Sequence, residues 1–185
     1  DHILWVEKYR PSKIADCVLP DKIKETFQNF ADKKEIPNLL LAGGPGIGKT
    51  TVAKALCEEV GCDYIVINGS DDRGIATMQT TVKNYATSMS LSGGRKVIII
   101  DEADNLTIDA QKSLRGMIED VSKNCSFIFT CNFKNKIMEA LHSRCTTVDF
   151  KLNGSKQKVA ALFFKRVEHI LELEGVQYSK EVVAN

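Results

Sequence analysis

The stretch GGPGIGKTT, residues 43 to 51, constrains this chain more than any other feature. It follows an apolar run, Asn38 to Ala42, and opens a segment of helical period, so it matches GxxxxGK[ST] at a strand-to-helix junction. Gly43, Gly46 and Gly48 let the backbone fold tightly with its amides pointing inward, and the following helix adds its positive N-terminal end. A triphosphate is the natural guest of such a loop, with Gly44, Pro45, Ile47 and Thr51 completing the cradle. Lys49 is expected to reach the β and γ phosphates, and the Thr50 hydroxyl to bind Mg²⁺.

The rest of the chain supplies the architecture that this loop needs. Short apolar runs alternate with longer segments of helical period, the pattern of a parallel sheet covered by helices. Strands are expected at Asn38 to Ala42, Tyr64 to Asn68, Val97 to Ile100, Ser126 to Thr130 and Thr146 to Phe150. All five are continuously apolar or β-branched, which predicts burial on both faces. Helices are expected near residues 21 to 33, 49 to 60, 71 to 87, 108 to 121 and 134 to 142, with Ser70 and Thr107 as N-caps of the third and fourth. The fold class is therefore α/β, a five-stranded parallel sheet flanked by helices. The length of 185 residues suits one packed domain plus at most a small second one.

A polar break, Lys151 to Gly154, separates this core, residues 1 to 150, from residues 151 to 185. There Ser155 is placed to cap a helix whose Val159, Leu162, Phe163, Val167, Ile170 and Leu171 form one apolar stripe. A lone helix cannot bury such a stripe, so the segment reads as the start of a second, helical domain or as a docking face.

The second half of the candidate site is VIIIDEAD, residues 97 to 104. Four apolar residues make a central strand that delivers Asp101 toward the metal, and Glu102 follows it where it can orient and deprotonate a water. A metal-bound carboxylate beside a base suits hydrolysis better than transfer to a large acceptor, which disfavours a kinase. Asn132, at the end of FIFTCN, is expected near the γ-phosphate if its strand lies beside the metal-bearing one; an asparagine in a turn after a strand is also ordinary loop chemistry.

Charge and cysteine content exclude little. The net charge of +1 means that nucleic-acid contact must come from a local patch. The six cysteines show no CxxC pair and no histidine at zinc-ligand spacing, which argues for buried free thiols in a reducing compartment. The start, DHILWVEKYRP, has no signal-peptide pattern, and no apolar stretch is long enough to span a bilayer, so the sequence predicts a soluble intracellular protein without membrane contact.

Taken in order, WVEKYRPSKIADCVLP, GGPGIGKTT, NGSDDRGI, VIIIDEAD, AQKSLRGMIE, TCN and SRC resemble the small ATPase subunits of sliding-clamp loaders in the AAA+ superfamily. These are the replication factor C small subunits and their counterpart in large tailed phages, and KYRPSKIADCVLPDKIKETF is more similar to the phage form. The resemblance covers residues 4 to 150. It implies ATP and Mg²⁺ as ligands, other loader subunits in what is expected to be a pentamer, a sliding clamp and primer-template DNA as partners, and a cytoplasmic location, or a nuclear one in a eukaryote. It implies that Asn132 is sensor 1, and that Tyr9, Arg10 and Pro11, with Val18 and Leu19, pack against adenine and ribose. It also implies that Arg144, in SRC, enters the ATP site of an adjoining subunit as an arginine finger; from the residues alone a surface salt bridge is the ordinary expectation.

In the family, helices at residues 71 to 87 and 108 to 121 line a subunit spiral and track the DNA backbone, which makes Arg73, Lys83 and Lys112 candidates for phosphate contact. The resemblance also puts Gln111 and Arg115 on a helix that links DNA contact to catalysis. The chain departs from the family at Gln79, where relatives often carry a DNA-facing arginine. Its sequence ends at Asn185, ahead of the second arginine sensor and the collar, which reads as a fragment or a shortened relative, expected to be monomeric and nearly inactive alone. Two rivals are a different AAA+ machine, such as a helicase loader or branch-migration motor, and a non-catalytic module that holds nucleotide as structural glue; an intact Glu102 argues against the second.

Overall fold

The structure is a computed structural model that describes residues 4–71, 74–151 and 156–177. Five strands, β1 (Leu39–Ala42), β2 (Tyr64–Asn68), β3 (Lys96–Asp101), β4 (Cys125–Cys131) and β5 (Thr146–Asp149), form one parallel sheet in the order β2-β3-β4-β1-β5. Among the described residues seven α-helices accompany them: α1 (Trp5–Lys8), α2 (Asp21–Lys33), α3 (Lys49–Val60), α4 (Gly74–Thr87), α5 (Ile108–Asp120), α6 (Glu139–His142) and α7 (Lys156–Leu173). The sheet and its order agree with the α/β class read from the sequence.

Alternation along each strand divides the interior into two layers. Leu39, Leu41, Val97, Ile99, Ile128 and Val148 face one side and pack with Ile23 and Phe27 of α2 and Val52, Ala53 and Leu56 of α3. Leu40, Ala42, Ile98, Ile100, Phe127 and Phe129 face the other, against Met78 and Val82 of α4 and Leu114, Met117 and Ile118 of α5. The central strands β1, β3 and β4 are thus apolar on both faces because both faces are covered.

Four expectations need correction. Strands β2 and β5 are the sheet edges, and they are not buried on both faces: Val66 and Asn68 are exposed, and in β5 only Val148 is buried. Asp71 is not helical and α4 is described from Gly74; the Ser70 hydroxyl donates to Glu102, and residues 72 and 73, between Ser70 and α4, lie outside the described residues. The helix expected over residues 134 to 142 is a 3-10 turn (Lys134–Lys136) followed by the single turn of α6, because Ile137 and Met138 adopt extended backbone between them. Of the apolar stripe on α7, Val167, Ile170 and Leu171 are half-buried while Leu162 and Phe163 are exposed; Ser155 and the side chain of Val159 lie outside the described set. Thr107 does cap α5, accepting a hydrogen bond from the Ala110 N–H at 3.2 Å. No helix among the described residues is long and apolar enough to cross a membrane.

Phe127 is fully buried and stacks on Phe129 with ring centroids 5.8 Å apart. Phe127→Ala is expected to destabilise the chain by about 3 to 5 kcal/mol through lost burial and a residual cavity, measured as a lower urea midpoint at unchanged slope.

Candidate active site

The phosphate loop leaves the C-terminal end of β1, a central strand with β4 on one side and β5 on the other. Ligands of open parallel sheets bind at the carboxyl ends of their strands. Gly46 and Gly48 sit in the left-handed region at φ 72° and 84°, where a side chain would strain the turn that leads into α3. Lys49, only 8% exposed, donates to Gly43 O at 2.6 Å, Gly44 O at 2.7 Å and Asn132 Oδ1 at 3.0 Å. Burial pulls its ammonium below lysine's ordinary range, against the opposing influence of Cys131, Asp104 and Asp101. Three neutral oxygens hold this cation, and a charged phosphate oxygen is the stronger acceptor for the same group.

The two residues expected to hold Mg²⁺ meet. Thr50 Oγ1 donates to Asp101 Oδ1 at 2.5 Å, although the two lie 51 residues apart. A hydroxyl and a carboxylate at one point are hard oxygen donors of the kind Mg²⁺ takes while keeping several waters. Thr130, which sequence reasoning missed, completes the arrangement: its hydroxyl donates to the same Asp101 oxygen at 2.5 Å and accepts from the Glu102 N–H at 3.1 Å. It belongs to β4, the strand between β1 and β3, so only the strand order brings it there.

Glu102 has left-handed backbone, φ 52°, a conformation that costs a non-glycine residue on the order of 1 kcal/mol or more. Its Oε2 accepts from the Ser70 hydroxyl and from Asn105 Nδ2 at 3.3 Å, and Asn105 Nδ2 also donates to Ser70 Oγ at 2.7 Å. Neither of these bonds goes to Oε1. Gly69 makes room for this turn: its N–H donates to Asp101 O at 2.6 Å, and a Cβ there would lie 2.5 Å from Glu102 O. The sequence offered Ser70 as a helix cap and carried Gly69 in NGSDDRGI, but it did not reveal their place beside Glu102, which lies 32 or 33 positions away in the chain.

Asn132 is held at the end of β4 by Asp104, whose Oδ2 accepts from the Asn132 and Phe133 N–H groups at 3.2 and 3.1 Å. Gln111, 1% exposed, anchors the following segment: Nε2 donates to Leu106 O and Lys136 O at 3.3 and 3.0 Å, and Oε1 accepts from the Met138 N–H at 2.8 Å. Each end of that buried amide is satisfied, as burial requires.

Tyr9, Arg10 and Pro11 line a cavity of about 510 Å³ together with Thr51 and Lys54 of α3 and Val167, Ile170 and Leu171 of α7. Its size suits a small-molecule group with an apolar face. The strap is fixed by Arg10 Nη2 donating to Glu58 at 2.7 Å, by Lys8 donating to Glu174 at 2.6 Å, and by the Tyr9 hydroxyl donating to the same carboxylate. Hydrogen bonds from Lys8 and Tyr9 hold Glu174 below the ordinary glutamate range. That clasp is fully present above the ordinary range and is lost only as pH falls through the lower folded value. Val18 and Leu19 do not reach this cavity: Val18 is half-buried outside its lining, and Leu19, 1% exposed, packs in the core beside α2 and α3.

Arg144 makes its bonds within the chain. Nε donates to Glu119 Oε1 at 3.0 Å, Nη2 donates to the same oxygen, and Nη1 donates to Ala140 O at 2.8 Å. Among the basic candidates, Lys83 is exposed on α4 and Lys112 is exposed on α5 with Asp109 3.7 Å away. Arg73 lies outside the described residues. Gln79 does not face away from the chain, because its Nε2 donates to Ser113 Oγ at 2.5 Å and joins α4 to α5.

The family described as "ATPase family associated with various cellular activities (AAA)" matches residues 39–152. The replication factor C small subunit of Methanothermobacter thermautotrophicus is 38% identical over 180 residues, covering 94% of this chain and 54% of that protein. The sliding-clamp-loader large subunit of Enterobacteria phage T4 is 40% identical over 180 residues, covering 95% and 56%. Replication factor C subunit 5 of Mus musculus is 38% identical, covering 96% and 53%. This chain spans about half the length of these relatives. A solved structure of the Thermotoga maritima RuvB Holliday junction branch migration motor superposes with a TM-score of 0.71 at 21% identity, covering 95% of this chain and 58% of that one. At such identity the likeness is one of fold.

Two substitutions probe the geometry. Gly69→Ala is expected to destabilise the chain by about 1 to 3 kcal/mol, because the new methyl meets backbone that cannot give way. Thr130→Val strands the Glu102 N–H and should cost about 1 to 3 kcal/mol, with Thr130→Ser recovering most of it. Chemical denaturation measures both, and a valine as stable as the native threonine would contradict the role given to that hydroxyl.

Proposed function

The chain belongs to the AAA family of ATPases, and from that premise we propose that it is the catalytic part of a sliding-clamp-loader subunit. ATP binding lets an assembly of such subunits open a clamp and take up primer-template DNA, and hydrolysis releases the closed clamp. The observation that carries the ATPase reading is the meeting of Thr50 and Asp101 beside Lys49 and Asn132, a cation, an amide and two hard oxygen donors at one pole of the sheet. The loader reading is supported by 38 to 40% identity along nearly the whole chain to proteins so named. In this reading residues 1–150 are the ATPase core and 151–185 the start of a helical lid.

The mechanism follows from the groups present. Gly44, Gly46, Ile47 and Gly48 offer backbone N–H groups to the phosphates while Pro45, which has none, shapes the loop between them, and Lys49 exchanges the loop carbonyls for phosphate oxygens. Tyr9, Arg10, Pro11 and Thr51 border the base and ribose, with α7 closing the far wall. Thr50 and Asp101 would hold Mg²⁺, which would supply positive charge to neutralise the phosphate oxygens. Glu102 Oε1 accepts from the attacking water while Ser70 and Asn105 fix the carboxylate, and Asn132 polarises the γ-phosphate side. Arg144, in SRC, serves an adjoining subunit in this reading, which the likeness to clamp-loader subunits supports.

Two further features support the partners. The N-terminal ends of α4 and α5 border one cavity of about 670 Å³, lined by Asn68, Ser70, Thr77 and Thr107, where phosphates of a DNA backbone fit amides and dipoles without base readout. At the opposite end of the sheet, Met89 and Leu91 are 92% and 97% exposed. Their loop is pinned by Asp63, which accepts from Ser90 Oγ, Leu91 N–H and Ser92 N–H at 2.8, 2.7 and 3.2 Å. Two apolar side chains held out on an ordered loop fit a protein partner such as the clamp.

In the assembled full-length oligomer, Glu102→Gln is expected to lower clamp- and DNA-stimulated hydrolysis by about 10² to 10⁴ while ATP binding persists. Arg144→Ala should lower it by about 10³ or more, also with ATP still bound. Steady-state phosphate release beside filter binding reads both, and stimulated turnover that survives Glu102→Gln would defeat the hydrolytic assignment. The chain of 185 residues alone should turn over ATP barely if at all; prompt hydrolysis independent of its concentration would contradict the need for an adjoining subunit.

A further inference from the structure

Arg144 is already spoken for inside its own chain. Nε and Nη2, the edge of a guanidinium that forks onto a carboxylate or phosphate, both donate to Oε1 of Glu119, and Nη1 donates to Ala140 O at 2.8 Å. Glu119 stands on the last turn of α5, 25 residues away in sequence, and its pairing with Arg144 holds its carboxyl below the ordinary glutamate range. Arg115 on the same helix acts on it in the same direction more weakly. The pair is open to exchange, for the Glu119 side chain is 60% exposed and that of Arg144 30%.

We propose that Glu119 is an internal stand-in for the phosphate: it occupies the forked edge of Arg144 and yields it only to the terminal phosphate of a nucleotide held by an adjoining subunit. This rests on the reading of Arg144 as a finger acting in trans.

The argument is one of competition for a single site. One edge of one guanidinium cannot fork onto two anions, so engagement of a phosphate through Nε and Nη2 requires release of Glu119. The Ala140 carbonyl uses the other nitrogen and can stay, keeping the guanidinium plane anchored during the exchange. Glu119 carries one negative charge, whereas a terminal phosphate carries up to two with three oxygens, and it displaces the carboxylate. A neighbour holding ADP presents no such group, and the arginine stays on Glu119. The carboxylate therefore raises the threshold for engagement by ATP and leaves a neighbour's binding of ADP untouched. Exposed pairs of this kind are weak, which is what a displaceable contact requires.

The test uses the complete oligomer of full-length subunits with clamp and primed DNA. Glu119→Gln keeps the shape of an exposed side chain and removes its charge. It is expected to lower the ATP concentration for half-maximal turnover about two- to fivefold, with kcat within about twofold of the parent and the inhibition constant of ADP unchanged, so that the preference for ATP over ADP rises by the same factor. In an Arg144→Ala background the same change should have no effect. A raised half-maximal concentration or a clearly lower kcat would mean that Glu119 aims the arginine and does not withhold it. A shift that persists without Arg144 would mean that Glu119 acts by another route. Either result overturns the proposal while leaving the finger in place. Unchanged turnover in Arg144→Ala alone is a separate result, which removes the finger reading and this proposal with it.

Discussion

Asp101 accepts two hydroxyl hydrogen bonds on one oxygen, from Thr50 of the phosphate-loop helix and from Thr130 of β4, each at 2.5 Å. This triple meeting joins Asp101 to residues 51 and 29 positions away in the chain, and the rest of the site is arranged around it. It needs β4 to lie between β1 and β3, since only then does a β4 side chain sit between the loop that leaves β1 and the acid that ends β3. Burial of all three strands on both faces makes that order rigid, because sliding any one of them would expose the apolar residues of both layers at once.

Around this point the chain makes a rim of hydrogen bonds that hold groups in position and do no chemistry themselves. Thr130 also takes the Glu102 N–H, Asp104 takes the amides of Asn132 and Phe133, and Ser70 with Asn105 takes the Glu102 carboxylate. Gly69 is part of the same device through the space it leaves beside Glu102 O. The strained backbone at Glu102 is held by these contacts together, which is the usual circumstance in which such a conformation persists at a reacting site.

Helix α5 ties the periphery to this centre. It begins with the Thr107 cap, buries Gln111 against the loop after Asn132, meets Gln79 of α4 through Ser113, and ends with Glu119 on Arg144. One helix thus touches the acidic turn, the segment beyond Asn132, the neighbouring helix and the arginine. The apolar face of α5 fixes its seat on β3 and β4, so its polar side chains are delivered with little freedom.

The amino-acid sequence determined the class of fold, the phosphate loop and the acidic strand, because those depend on residues adjacent in the chain: glycines that permit a tight turn, a lysine and threonine that open a helix, and an aspartate that ends an apolar run. It also carried Thr107 as a cap and Lys49, Thr50 and Asp101 as a set. It misjudged β2 and β5, whose β-branched composition suits an edge as well as a centre, and it ran one helix through the extended residues Ile137 and Met138. Val18 and Leu19, which the resemblance groups with Tyr9, Arg10 and Pro11, lie outside the lining of the cavity that those three border. Thr130, Gly69, Asn105 and Glu119 were illegible for a common reason: each matters through a partner 25 or more residues away or through a turn of backbone, and only the parallel crossovers of the sheet decide which of those distant groups become neighbours.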